Sequence, residues 1–111
     1  MKKDGLYTSN GHNFYYEKGL FHRENGPAVE YSWGTHYWYR HGELHRIDGP
    51  AAMYGPDRFE IAWYQNDLLH RLDGPAVQFG NRIEWWIDGR RIEGVKSQEE
   101  FGQYLKLKSF W

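Results

Sequence analysis

The sequence predicts an all-β protein, an antiparallel β-meander of tandem hairpin repeats with about eight strands, closed by a short C-terminal capping helix. Three observations predict it. One block of residues recurs three times at a near-constant interval. Between the copies, apolar residues alternate with a period of two. The apolar content is unusually aromatic, with 6 Trp, 9 Tyr and 6 Phe beside 13 Gly in 111 residues, which suits pleated surfaces and frequent turns.

The repeated block reads Phe21-His22-Arg23-Glu24-Asn25-Gly26-Pro27-Ala28, then Leu44-His45-Arg46-Ile47-Asp48-Gly49-Pro50-Ala51, then Leu69-His70-Arg71-Leu72-Asp73-Gly74-Pro75-Ala76. Gly26, Gly49 and Gly74 set offsets of 23 and 25 residues. An aromatic pair and a turn precede each block: Tyr15-Tyr16 with Lys18-Gly19, Trp38-Tyr39 with His41-Gly42, and Trp63-Tyr64 with Asn66-Asp67. A fourth pair, Trp85-Trp86 with Asp88-Gly89, opens a unit that never reaches the block. The array is therefore half a unit, three units and half a unit, with a hairpin-repeat sheet over 1–94 and a helix and tail over 95–111.

Alternation places Ile83, Trp85 and Ile87 on one face, and pairs Val29 with Tyr31, Ala52 with Tyr54 and Val77 with Phe79. Asn10-Gly11, Asn66-Asp67, Gly80-Asn81 and Asp88-Gly89 are two-residue hairpin turns that need positive φ. In the block, Asp48 and Asp73 are expected to start a tight turn, Gly49 and Gly74 to take a strained backbone, and Pro50 and Pro75 to fix φ before the next strand. Arg46 and Arg71 are placed to bond the Asp or free carbonyls. Ser97-Gln98-Glu99-Glu100 is a capping box, after which Phe101, Tyr104 and Leu105 recur at helical spacing.

The unit of aromatic pair, Gly turn and Leu-His-Arg-x-Asp-Gly-Pro-Ala resembles the MORN-type repeat in the variant form common in bacteriophages and large DNA viruses, over roughly residues 6–94. The first unit departs with Glu24-Asn25, and the last reads Arg91-Ile92-Glu93. The resemblance implies a hairpin scaffold for protein or lipid contacts and a viral source, and it carries no catalytic residues.

Composition narrows the function classes. A net charge of −1 supplies no field for nucleic acid or an anionic membrane, and the chain has no Cys for disulfides or thiolate metal sites. No apolar run is long enough for a membrane span, so a cytoplasmic protein without membrane insertion is expected, in the host cytoplasm if viral. His22, His45 and His70 should lie two strands apart, roughly 9–10 Å, too far to share one metal ion. No cofactor or catalytic residue is expected, since a residue set repeated in every unit serves every unit's folding. Function is expected where units differ, and on any aromatic row that a single-layer sheet leaves exposed. The expected partner-binding residues are thus Trp33, Tyr37, Tyr39, Tyr64, Trp86, Arg90, Arg91 and Trp111. The partner is expected to be a protein, such as a host defence factor blocked by occlusion. The rival reading is nucleotide handling, as a sponge or phosphoesterase, by His and Arg converging from several units on a pocket.

Overall fold

The computed structural model describes residues 4–108, so Trp111 lies outside the described residues. Strands β1 (Gly5–Ser9), β2 (His12–Glu17) and β3 (Leu20–Phe21) come first. The second unit holds β4 (Val29–Glu30), β5 (His36–Tyr37), β6 (Tyr39–Arg40) and β7 (Glu43–Leu44). The third holds β8 (Ala52–Tyr54), β9 (Glu60–Ala62), β10 (Tyr64–Gln65) and β11 (Leu68–Leu69). The last holds β12 (Val77–Phe79), β13 (Arg82–Glu84), β14 (Trp86–Ile87) and β15 (Arg90–Arg91), followed by helix α1 (Gln98–Lys108). Eight strands form one antiparallel meander in the order β1-β2-β4-β5-β8-β9-β12-β13, as the repeat predicts.

The strands carrying the aromatic pairs run on into a second row of ladders, β2–β3, β6–β7, β10–β11 and β14–β15. In the later units the break falls on Trp38, Trp63 and Trp85, because the first two of these residues bond in two directions. The Trp38 N–H donates to the Ala51 carbonyl at 2.7 Å, while its own carbonyl accepts the His45 N–H at 3.0 Å; Trp63 does the same with Ala76 and His70. One residue thus stitches its unit to the next block and to its own hairpin.

The hairpin turns lock onto the preceding unit. Both turn residues are left-handed, as at His41 (φ 49°) and Gly42 (φ 81°), so both N–H groups point at the neighbour. Gly42, Asp67 and Gly89 donate to the Phe21, Leu44 and Leu69 carbonyls at 2.8–2.9 Å. His41, Asn66 and Asp88 donate to Nδ1 of His22, His45 and His70 at 2.9, 3.1 and 3.0 Å. The repeated histidine is therefore a hydrogen-bond acceptor between units. In the β2–β3 hairpin the Asp4 carboxylate accepts the Lys18 N–H at 2.6 Å, in place of a repeated histidine.

The sheet is a single layer with a thin core on each face. Its inner face carries one unbroken row of cross-strand neighbours, Tyr7–Phe14–Val29–Tyr37–Ala52–Ala62–Val77–Glu84. Ala52, Ala62 and Val77 are buried there beneath Tyr37, Tyr54, Tyr64, Leu69, Phe79 and Trp86. On the outer face, guanidiniums roof the aromatic rings: Arg23 over Tyr15, Arg46 over Trp38 and Arg71 over Trp63, at 4.0, 3.9 and 3.9 Å. Each guanidinium also donates to the carbonyl of Pro27, Pro50 or Pro75, and Arg46 and Arg71 to Asp48 and Asp73.

That roof corrects the expected role of the block glycines. Gly49 and Gly74 do not have positive φ; a Cβ there would sit 2.5 or 2.7 Å from the arginine Cζ, and at Gly26 2.8 Å. Close approach, and not backbone strain, requires glycine. The alternation at β13 also reads differently in place. Ile83 is exposed and Glu84 is buried, because Glu84 ends the inner row and its carboxylate takes the Arg82 guanidinium and the Trp86 indole N–H.

Helix α1 stands where a fourth roof would be. Ser97 Oγ accepts the Glu100 N–H at 3.1 Å, the expected N-cap, while the Glu100 carboxylate reaches back to the Lys96 N–H. Phe101 is fully buried with its ring 6.4 Å from that of Trp85, whose indole N–H donates to Gln98. An apolar ring and an amide therefore cover the aromatic residue that has no arginine of its own.

Candidate interaction surface

The inner face presents a continuous run of aromatic rings. From Tyr37 the rings of Tyr39, Tyr54 and Tyr31 lie 6.2, 5.8 and 6.2 Å away. Tyr54 leads on to Phe79 at 5.1 Å, and Tyr39 to Phe21 at 5.1 Å. These rings lie on one face because strand alternation puts Tyr37 and Tyr39 together, and the register sets Tyr37 beside both Val29 and Ala52. Edge-to-face geometry dominates, with interplanar angles of 84° for Tyr37–Tyr54 and 89° for Tyr31–Tyr37. Burial holds the phenols of Tyr39, Tyr54 and Tyr64 above the usual tyrosine range, and neighbouring Tyr37 adds to each shift. The phenols therefore stay neutral donors at any ordinary pH.

At the end nearest β4 and β5 the run reaches solvent. Trp33 is 55% exposed and stacks on Tyr31 at 4.6 Å with an interplanar angle of 5°. The His12 ring packs edge-on to both, at 5.0 Å from Trp33 and 5.3 Å from Tyr31, and its Nδ1 accepts the Ser32 N–H at 2.9 Å. The loop is buttressed from the other side. Thr35, itself buried, accepts the Gly55 N–H on its hydroxyl at 2.9 Å, and a Cβ on Gly55 would run into the Trp33 carbonyl. The long connections of the second and third units thus pack backbone to backbone. The neighbouring tip exposes Phe59 at 80% beside Arg58, whose guanidinium lies 3.5 Å from His36 Nδ1.

Trp33, Tyr37 and Tyr39 are brought together through Tyr31. Tyr64 and Trp86 lie farther along the same inner face, half-buried over Ala52, Ala62 and Val77. Arg91 pairs with Trp86 across β14–β15, and its guanidinium lies 3.7 Å from Glu84. Arg90 is exposed on the groove between that hairpin and α1, away from the Trp33 loop. Alternation with Val29 could have nominated Tyr31, a contact that the sequence reading did not select. His12 and Phe59 left no signal, because their placement depends on which loops meet in space.

No group of three or more His, Cys, Asp or Glu side chains able to hold a metal occurs among the described residues, and no described helix is long and apolar enough to cross a membrane. Compared with known proteins, the chain has no significant match among family models, curated proteins or solved structures.

Proposed function

We propose that this protein is a non-enzymatic binding module whose inner aromatic face docks a protein partner, with Trp33 as the anchor. The observation that supports this is the state of Trp33, half exposed yet fixed by parallel stacking on Tyr31, by His12 and by a loop tied down at Ser32 and Thr35. A large apolar side chain held in one orientation in solvent gains more from a partner than from folding. It also loses little conformational entropy on binding, the property that makes Trp a frequent hot spot. The repeat resemblance adds the finer reading that the chain is viral and that its partner is a host defence factor blocked by occlusion.

The test is comparative capture from the protein's own host with wild type, Trp33→Ala, and Arg90→Ala with Arg91→Ala, followed by titration of the purified partner. Trp33→Ala should weaken binding about thirtyfold or more. Equal binding by wild type and both variants overturns the assignment of the surface, and turnover of any small molecule by the pure protein overturns the non-enzymatic reading.

A further inference from the structure

We propose that the cleft beside His45, on the outer face, binds the oxyanion of a small organic ligand in a place that the protein's own carboxylates fill one unit earlier. The repeat supplies the comparison. In the first unit, His22 Nδ1 accepts the His41 N–H, so the neutral ring carries its proton on Nε2. That Nε2–H faces two carboxylates, Glu24 at 2.9 Å and Glu17 at 3.2 Å. In the second unit His45 is held in the same way, with Nδ1 accepting the Asn66 N–H at 3.1 Å and the proton therefore on Nε2. The positions matching Glu17 and Glu24, however, are Arg40 and Ile47. Both carboxylates are gone, and a guanidinium stands in place of one of them.

These residues line one open cleft of about 310 Å³ with Arg23, Glu24, Trp38, Arg46 and Asp48. Its two acids are engaged, Glu24 by His22 and Asp48 by Arg46 at 3.2 Å. Arg23 and Arg46 are tied to the carbonyls of Pro27 and Pro50. Arg40 has no carboxylate within 4 Å among the described residues. The cleft therefore offers a guanidinium that acts on Glu24 only at longer range and an Nε2–H donor, with three guanidiniums against two carboxylates, and with the exposed Ile47 as an apolar wall. A carboxylate or phosphate oxygen is the acceptor that satisfies both donors. The matching cleft of the third unit has Gln65 and Leu72 at these positions beside His70 and Arg71, and encloses about 180 Å³. It has the donor without the second cation and serves as an internal control.

The experiment is a titration of the ¹⁵N-labelled full chain with inorganic phosphate, and separately with succinate, at constant ionic strength, following the Nε2 resonances of His22, His45 and His70. The inference expects saturable movement of His45 alone, and the tighter of the two anions identifies the headgroup. Arg40→Gln, which installs the third unit's residue at an exposed position, should weaken binding about tenfold or more. Arg40→Glu, which restores the first unit's carboxylate, should abolish it. An unmoved His45, parallel movement of all three rings, or wild-type affinity in Arg40→Gln overturns the inference.

Discussion

The outer face and the Trp33 loop are both built from exposed or half-exposed aromatics, yet they differ in what covers them. On the outer face Tyr15, Trp38 and Trp63, the first ring of each aromatic pair in the three full units, have a guanidinium about 4 Å above them, and each guanidinium is in turn pinned by a proline carbonyl and crowded by a glycine. The arrangement recurs with nearly the same distances, so it belongs to folding. Trp33 has a ring beneath it and solvent above, in a loop that occurs once. Regularity accounts for the first surface and leaves the second unexplained. A single-layer sheet needs the first device because it has little interior of its own: among the described residues the largest fully buried side chains are Val29 in the sheet and Phe101 in α1.

The largest effect that would break this comparison is at the arginine roof. Gly49→Val should push Arg46 off Trp38, losing a cation–π contact and its hydrogen bonds to Asp48 and Pro50, at about 2–4 kcal/mol together. Chemical denaturation measures it. A loss below about 0.5 kcal/mol, the size of an ordinary surface change, would mean that the guanidinium swings away freely and the stack is not structural.

Next in size is the acid at the end of the inner row. Arg82, by a hydrogen bond at 2.7 Å, holds the Glu84 carboxyl below its usual range; the Trp86 indole N–H and Arg91 act in the same direction, and burial opposes them. A carboxyl whose folded value is depressed stabilises the fold fully above its unfolded value near 4.5, and that contribution is lost as pH falls through the lower folded value. Glu84→Gln should cost about 1–3 kcal/mol at neutral pH and flatten the fall in stability below pH about 4.5. An acid limb identical in wild type and variant would show that this buried carboxylate contributes nothing.

These contrasts also show what a sequence discloses. The meander order, the left-handed turns and the Ser97 cap were legible because each depends on neighbours in the chain: a two-residue period, Asn-Gly or Asp-Gly, and Ser with Glu three residues on. The arginine roof was only half legible. Bonds to Asp and to a carbonyl follow from short loops, but the stack over Trp38 depends on where two strands bring Arg46, and so the reason for Gly49 was misread as strain. The break of each long strand at Trp38 and Trp63 was hidden because it arises from partners in the following unit. Trp33 was legible as a residue without a counterpart in the other units; Phe59 was not, since its exposure follows from the meeting of the two long loops.

The smallest effect sharpens the comparison at the level of one imidazole. His45, on the repeated side, is fixed by accepting an N–H from the next unit, whereas His36 lies beside the Trp33 loop with the exposed Arg58 guanidinium 3.5 Å from its Nδ1. Burial is the larger cause that lowers the His36 value, the Arg58 charge adds to it, and Glu30 on the adjacent strand opposes both. The folded state therefore binds a proton at His36 less readily than the unfolded chain does. Its contribution to stability is complete above the unfolded value near 6.5 and declines as pH drops below that value. Because the site is half open to solvent, the fall in Tm should be small, and the sensitive readout is the His36 titration itself by NMR. The midpoint should lie below 6.5 in wild type and move up, without reaching 6.5, in Arg58→Ala, because removing the charge leaves the burial in place. A wild-type midpoint at or above 6.5 would mean that the Arg58 loop does not lie over His36, and the buttressing of the neighbouring Trp33 loop would have to be redrawn with it.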